Sequence, residues 1–304
     1  VKLPFDFGIR FVLRLVWPGA ILAAALFPIG REVRALAYPA ASDPILFAVL
    51  GLVAGFALLL FDMPIYMILE GRRYWPERLR LRGVRREAAR LAKIRAVADS
   101  AQDSAVRVEY DLRASEFPTD RVSGEPAARY PTRLGNLLAS FETYPTVKYG
   151  IDGVFFWPRL WVSIDKDLRE ELDSAQAIVD GAVYSCAAFA VSAVLCATYA
   201  AIGVGESREL WLGAAVTSAI FSIICYRAAL PRYAQYGELV AAVFDQHRKK
   251  LEFDALVTDL DAHLNDTRTP ARSERETARA AWRFLRWHRY RRSGAPTNEI
   301  VRDW

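Results

Sequence analysis

Reactive side chains are scarce in this chain: 304 residues hold three cysteines and three histidines. Cys186, Cys196 and Cys225 all fall inside apolar runs, where a thiol reads as a small buried apolar group. They give neither a disulfide framework nor a metal-ligand spacing. His247, His263 and His288 are scattered through the C-terminal region, and none sits at ligand spacing from a carboxylate or cysteine. That argues against a zinc site. The chain also lacks a glycine-rich phosphate loop, a nucleophile elbow, a metalloprotease helix and a defensible pair of catalytic carboxylates. Gly150-Ile151-Asp152-Gly153 is too short to be a phosphate motif. The expectation is a protein that is not an enzyme, with no catalytic residue, cofactor or metal.

Apolar residues are what the chain has in plenty. It is 53% hydrophobic, yet its mean hydropathy is only +0.09, so apolar and charged residues must be segregated. Four apolar runs, at 11–29, 45–69, 177–204 and 210–230, carry the segregation. Each is long enough, as a helix, to cross or nearly cross a hydrocarbon layer roughly 30 Å thick. The expected fold class is an all-α membrane protein with four transmembrane helices and a mainly helical cytoplasmic domain. At about 20 residues per span, around two thirds of the chain lies outside the bilayer. Residues 1–29 read as a retained first helix, because no small-residue cleavage signal follows the mixed-charge Val1–Arg10.

Charge then sets orientation. The net charge is +5 and the pI about 9.1. The densest basic stretch follows the second run: Arg72, Arg73, Arg78, Arg80, Arg82, Arg85, Arg86, Arg90, Lys93 and Arg95. The loop 203–209 has a single Arg208, whereas Arg232, Arg248, Lys249 and Lys250 follow the fourth run. By the positive-inside rule both termini and the central segment are cytoplasmic, and the loops near 30–44 and 203–209 face the other side. The domains are then 1–70 (spans one and two), 71–165 (cytoplasmic insert), 166–231 (a long helix into span three, then span four) and 232–304 (C-terminal cytoplasmic helices). Basic residues so close to spans point to anionic lipid headgroups on the cytoplasmic side rather than to nucleic acid.

Local signals fill in the elements. Ser42-Asp43-Pro44 is a helix start, and Trp17-Pro18 and Phe27-Pro28 are kink sites in span one. Residues 77–99 carry Leu81, Val84, Ala88, Leu91, Ile94 and Ala98 at helical spacing, with arginine on the other face. That helix packs on its own domain or lies on a lipid surface. Residues 105–110 alternate and predict a strand; 131–141 predict a short helix. Phe155, Phe156, Trp157, Leu160 and Trp161 mark 144–161 as an aromatic membrane-interface elbow or a domain core, with a ligand pocket as the further alternative. Asp165 is the expected N-cap of a helix running unbroken through Asp180 into span three. Pro231 predicts a break, after which 234–264 form an amphipathic helix through Leu239, Ala242, Val243, Leu251, Leu256, Val257 and Leu260. Thr267–Pro270 reads as a linker, and Ser273 with Glu276 as a capping box. The final helix is basic, with Arg279, Arg283, Arg286 and Arg289 among its charges and Trp282, Leu285 and Trp287 between them. It packs against the protein, meets lipid headgroups or receives an acidic cytoplasmic partner.

Ionisable residues at membrane depth are candidate functional residues. Asp62, followed by Met63-Pro64, lies about as deep as Arg14 on span one and Arg227 on span four; Asp180 is slightly closer to the cytoplasm. Arg14, Asp62, Asp180 and Arg227 are therefore expected to cluster at the inner mouth of the helices. They form either a structural layer, with Asp62 paired to Arg14 or Arg227, or an ion-selective ring. Gly181, Ala182, Ser185, Ala188, Gly213, Ala214 and Ser218 allow close helix approach within or between subunits.

Pro131-Thr-Arg-Leu-Gly-Asn136, Tyr149-Gly-Ile-Asp152, Trp157-Pro-Arg-Leu160, Tyr236-Gly-Glu-Leu-Val240 and Phe244-Asp-Gln-His-Arg248 resemble a pattern in uncharacterised bacterial multi-span membrane proteins. The resemblance covers roughly residues 130–250. It implies a bacterial inner-membrane setting and an important 131–161 segment, and carries over no functional residue. More loosely, four spans with an insert between the second and third are similar in layout to bestrophin-type anion channels, whose neck motifs are not found here. The functional expectation is a homo-oligomeric assembly that forms or gates a pore, in the manner of a membrane-acting effector. A non-conducting scaffold or sensor that recruits a cytoplasmic partner is the alternative, and a lipid-modifying enzyme the third.

Overall fold

A computed structural model describes residues 8–37, 42–120, 123–204, 207–253, 258 and 273–290. Among these residues there is no strand, and four helices are long and apolar enough to cross a membrane. A helical turn at Ile9–Phe11 and a π-helical turn at Val12–Val16 lead into α1 (Trp17–Ala37). Pro28 is accommodated inside α1 without ending it. Then follow α2 (Asp43–Leu60) and α3 (Asp62–Leu69). Ser42 is the N-cap of α2, with proline in its first turn, as the sequence predicts. The second apolar run is not one helix, however. It breaks at Phe61 (φ −95°, ψ 18°), three residues before Pro64. Pro64 has no N–H for the carbonyl of Leu60, and its ring crowds that carbonyl, so the turn opens there.

The insert holds α4 (Glu77–Ser100) and α5 (Ser104–Ala114), packed as a hairpin around Leu91, Ile94, Ala114 and Phe117. The expected strand at 105–110 is therefore helix. Asp103 caps it by accepting from the Ala105 amide, and Val106, Tyr110 and Ala114, spaced four apart, are its covered residues. Val108 and Leu112 sit exposed on the other side, which imitates strand alternation in the sequence. The buried face of α4 is Glu87, Leu91, Ile94 and Ala98, while Leu81 and Ala88 of the expected face are exposed.

α6 runs Arg133–Tyr149, about two turns past the expected end at Phe141, and stops at Gly150 in the left-handed region (φ 74°). α7 (Gly153–Ser163) starts directly afterwards, its N-cap Asp152 accepting from the Phe155 amide. The Tyr149–Asp152 stretch is thus a helix stop followed at once by a helix start. α8 (Lys166–Ile202) is continuous past Asp180, with Asp165 at its N-cap position. α9 (Arg208–His247) passes straight through Pro231. The break expected there is absent because Ala229, Leu230 and Tyr233 are buried around it; packing holds the helix across one missing hydrogen bond. A 3-10 turn, Arg248–Leu251, ends it. Of the face expected over 234–264, Val243 and Leu251 are buried and Ala242 is exposed; Leu256, Val257 and Leu260 lie outside the described residues, as does the linker Thr267–Pro270. α10 (Glu274–Tyr290) begins with the expected box, the Glu276 carboxylate accepting from the Ser273 amide at 2.9 Å.

The four long helices form an open row. α2 packs on α1, α1 on α8 and α8 on α9; α2 and α9, the two ends, make no comparable contact. At the α1–α2 crossing a Cβ on Gly19 would overlap the Gly51 carbonyl, so glycine sets how closely these helices meet. At 1.5 Å per residue α8 and α9 are about 55 and 60 Å long, well beyond a bilayer core. Their ends toward the insert form the core of a second region with α6, α7 and α10, built on Phe156, Leu160, Leu172, Val243, Phe244 and Ala281.

Candidate functional site

Three side-chain clusters sit where the four long apolar helices meet the helical body and within that body. The first is a charge layer across α1, α3 and α8. Arg14 lies in the π-helical turn, a widened turn often found at functional positions. Its Nε donates to Asp180 at 2.8 Å and its Nη1 to Asp173 at 2.9 Å; Arg10 donates to the same Asp173 at 2.6 Å. The Tyr66 hydroxyl donates to the second oxygen of Asp180 at 2.5 Å, and the Tyr184 hydroxyl donates to Asp62 at 2.8 Å. Asp180 is 5% exposed, so its charge depends on these partners.

Two of the four predicted members, Arg14 and Asp180, are thus in direct contact. Asp62 belongs to the layer, but through Tyr184 rather than through an arginine. Arg227 does not belong: it is exposed on α9 beside Arg86, Glu87, Glu116 and Arg133. Arg227 faces those side chains instead, although Tyr233 of the same helix packs against Tyr66 of the layer. Asp173, Tyr66 and Tyr184 were missed. A signal existed for Asp173: Arg10 and Arg14 are one helical turn apart, and Asp173 and Asp180 are two, so each pair lines one face.

The second cluster lies just past α3. Glu70 is 3% exposed, with a carboxylate oxygen 2.7 Å from Arg72 Nε; Arg72 hydrogen-bonds Glu142 of α6 at 2.5 Å. One guanidinium thus serves two carboxylates, and the Glu70 contact is charge alone, without hydrogen-bond geometry. Burial pushes the Glu70 carboxyl up to about 7; Arg72 opposes the shift, and Glu142 and Asp62 add to it. The Pro131–Asn136 stretch locks this site. Thr132 Oγ1 donates to the Glu70 carbonyl at 2.8 Å, and a Cβ on Gly135 would strike that same carbonyl. Asn136 is 1% exposed; its oxygen accepts from the Arg129 and Tyr130 amides, and its nitrogen donates to the Tyr130 and Thr132 carbonyls. The residues of this stretch are therefore structural latches.

The third cluster joins the end of α6 to the end of α9. Asp245 accepts from Tyr144 at 2.9 Å and Tyr149 at 2.6 Å, and Lys148 Nζ lies 3.3 Å away. Lys148 also donates to the Tyr144 hydroxyl. The bonds to both phenols and to Asp245 hold its ammonium above the ordinary lysine range. Arg248 covers the Tyr149 ring at 4.1 Å. This cluster forms one wall of an open cleft of about 1030 Å³ between the α4–α5 hairpin and α6 with α9.

The aromatic segment 155–161 turns inward. Phe156 is fully buried against Phe253, while Phe155, Trp157 and Trp161 are half-buried around it and around Phe244. Of the readings the sequence allows, the structure places these side chains in a domain core. The C-terminal helix packs on that core: Ala278 and Ala281 are buried, Trp282 donates to Asp152 at 3.2 Å and Arg275 donates to the Val147 carbonyl at 3.0 Å. Arg279 is exposed, and the side chains of Arg283, Arg286 and Arg289 lie outside the described residues. Among the described residues no group of histidine, cysteine and carboxylates is arranged to hold a metal. No protein-family model, curated protein or solved structure matches this chain.

Proposed function

We propose that this chain is an integral protein of a bacterial inner membrane, termini in the cytoplasm, whose protomers join edge to edge into a homo-oligomer that forms or gates a pore. The observation that carries the reading is the open row of spans. Its end helices are bare: Val49, Val53 and Phe56 of α2, and Leu210, Val216, Ile220, Ile223 and Ile224 of α9, are each about half exposed or more. A contiguous apolar surface of this kind marks a lipid or protein contact. A row whose two ends differ closes by a head-to-tail contact, α9 of one protomer against α2 of the next, which generates a ring. Gly213 and Thr217, exposed one turn apart on α9, suit such close approach. α8 and α9 continue unbroken from the row into the helical body, so a tilt of the spans moves the body with them. Exposed residues outside the head-to-tail contact, such as Val191 and Val194 of α8, are apolar too, which fits a gate that closes by dewetting. Ion flux from liposomes holding the purified protein tests the reading. Flux that α9-face substitutions alter is the expected result; no flux under voltage, pH or lipid change overturns it.

The rival reading, a non-conducting scaffold for a cytoplasmic partner, has one observation in its favour. Arg78, Arg80, Arg82 and Arg85 are exposed on α4 and make no ion pair among the described residues. A ring that passes no ion yet retains a cytoplasmic protein through these arginines supports it.

A further inference from the structure

Six cations converge on one groove where α9 leaves its apolar stretch. Arg86, Arg90 and Lys93 lie on one face of α4; Arg113 comes from α5, Arg133 from the start of α6 and Arg227 from α9. The groove has two lobes, of about 800 and 490 Å³, joined at Arg86, Glu116 and Arg133. Its acids are fewer than its bases. Arg90 shares Glu87 at 3.3 Å and Glu116 at 2.8 Å; Arg133 reaches the same Glu116 at 3.3 Å; Arg86 is 3.8 Å from Glu87; Arg113 pairs with Glu109. Lys93 and Arg227 are exposed and make no ion pair among the described residues. The three carboxylates thus leave the groove positive, with one free cation in each lobe. Arginine and lysine so placed take phosphate oxygens well.

What adjoins the groove decides which phosphate. Arg227 stands three, four and seven residues after Ile224, Ile223 and Ile220, so all four share one side of α9. Those three isoleucines are exposed by half or more. A cationic groove therefore continues into a bare apolar stripe. A ligand matching both has an anionic head and a hydrocarbon tail. We propose that the groove seats the phosphate headgroup of an anionic phospholipid whose acyl chains lie along the Ile220–Ile223–Ile224 side of α9. The proposal rests on the membrane reading above, and places a lipid at the inner end of the face that the neighbouring protomer would meet.

Native mass spectrometry of the full chain, released from nanodiscs of phosphatidylglycerol or of phosphatidylcholine, tests it. The variant is Lys93→Gln with Arg227→Gln, which removes two charges without stranding a carboxylate. The control, Arg78→Gln with Arg80→Gln, removes two charges from α4 away from the groove. Unchanged thermal unfolding confirms that both variants are folded. Retained phosphatidylglycerol should fall roughly tenfold or more in the groove variant and less than about twofold in the control. Equal loss in both variants, or equal retention of phosphatidylcholine, overturns the proposal in favour of a diffuse field. Displacement of the lipid by millimolar pyrophosphate overturns it in favour of a soluble phosphate. Co-elution of the chain with empty-lipid discs of either kind is scored separately. A chain that fails to insert sinks the membrane reading itself, whereas one that inserts without preference sinks only the groove.

Discussion

In the N-terminal half of α8, Asp173, Asp180 and Tyr184 are tied to the helical turns before α1 and to α3 by side-chain hydrogen bonds of 2.5–2.9 Å. Toward its C-terminal end the ties thin out. The Tyr199 hydroxyl donates to the Ala25 carbonyl at 2.9 Å, and elsewhere the helices meet through small residues or show bare faces such as Val191, Val194 and Ile202. The N-terminal half of α8 is a locked polar layer that specifies how the chain folds. The C-terminal half leaves apolar surface bare, the surface that the proposed assembly would use. Stability and assembly should therefore be separable by position along the same helix.

The largest test removes the centre of the lock. Asp180→Ala leaves Tyr66 without its acceptor and Arg14 with Asp173 alone, and should lower stability by about 3–5 kcal/mol in detergent unfolding. Combining it with Arg14→Leu should return part of the loss, because the uncompensated buried charge goes with it. Asp62→Asn keeps an acceptor for Tyr184 and should show no coupling to Arg14→Leu. Coupling there would mean that Asp62, not Asp180, is the partner.

Next comes pH. Glu70 carries its proton up to about 7 in the folded chain, against an ordinary 4.5. Between these values the folded state binds more protons than the unfolded one. Its contribution to stability is therefore full below 4.5 and is lost as pH rises through 7. The loss amounts to roughly 3 kcal/mol. Glu70→Gln should flatten thermal stability between pH 5 and 8 and raise it at pH 8, leaving Arg72 to Glu142. A slope unchanged by the substitution would place the titrating group elsewhere.

Asn136→Ala should cost about 2 kcal/mol, since it strands the buried amides that the side chain satisfies. The smallest effect on folding belongs to the bare apolar face of α9. Val216→Ser with Ile224→Ser should change detergent stability by less than about 0.5 kcal/mol per site. The same pair should weaken subunit association measured by sedimentation. Strong destabilisation of the isolated protomer would show that α9 is already covered by its own chain.

The four helices long and apolar enough to cross a membrane were legible because apolar runs of 18 or more residues stand out in a sequence. The sequence displayed the caps at Ser42, Asp165 and Ser273 because capping is local chemistry. It misled where local pattern and tertiary packing disagree. Val106, Val108 and Tyr110 alternate like a strand, but only Val106 and Tyr110 are covered, and Asp103 supplies a helix cap. Pro231 reads as a breaker, yet buried neighbours carry the helix across it; Pro64, whose neighbours Phe61 and Met63 are exposed, opens a turn at Phe61. The charge layer was half legible. Depth along each helix brought Arg14, Asp62 and Asp180 to one level, but depth says nothing of rotation or of which helices are neighbours. Arg227 has the right depth but faces the groove beside Arg86 and Arg133. The row order that decides this comes from long-range packing, which no single helix carries in its own sequence.

The mass of the assembly in lipid nanodiscs, with one disc population per subunit count resolved, tests the central claim most directly. A defined ring of several protomers, reduced to monomers by Val216→Ser with Ile224→Ser, is the predicted result. A protein that stays monomeric at every lipid composition and concentration would contradict an open row completed by its neighbours.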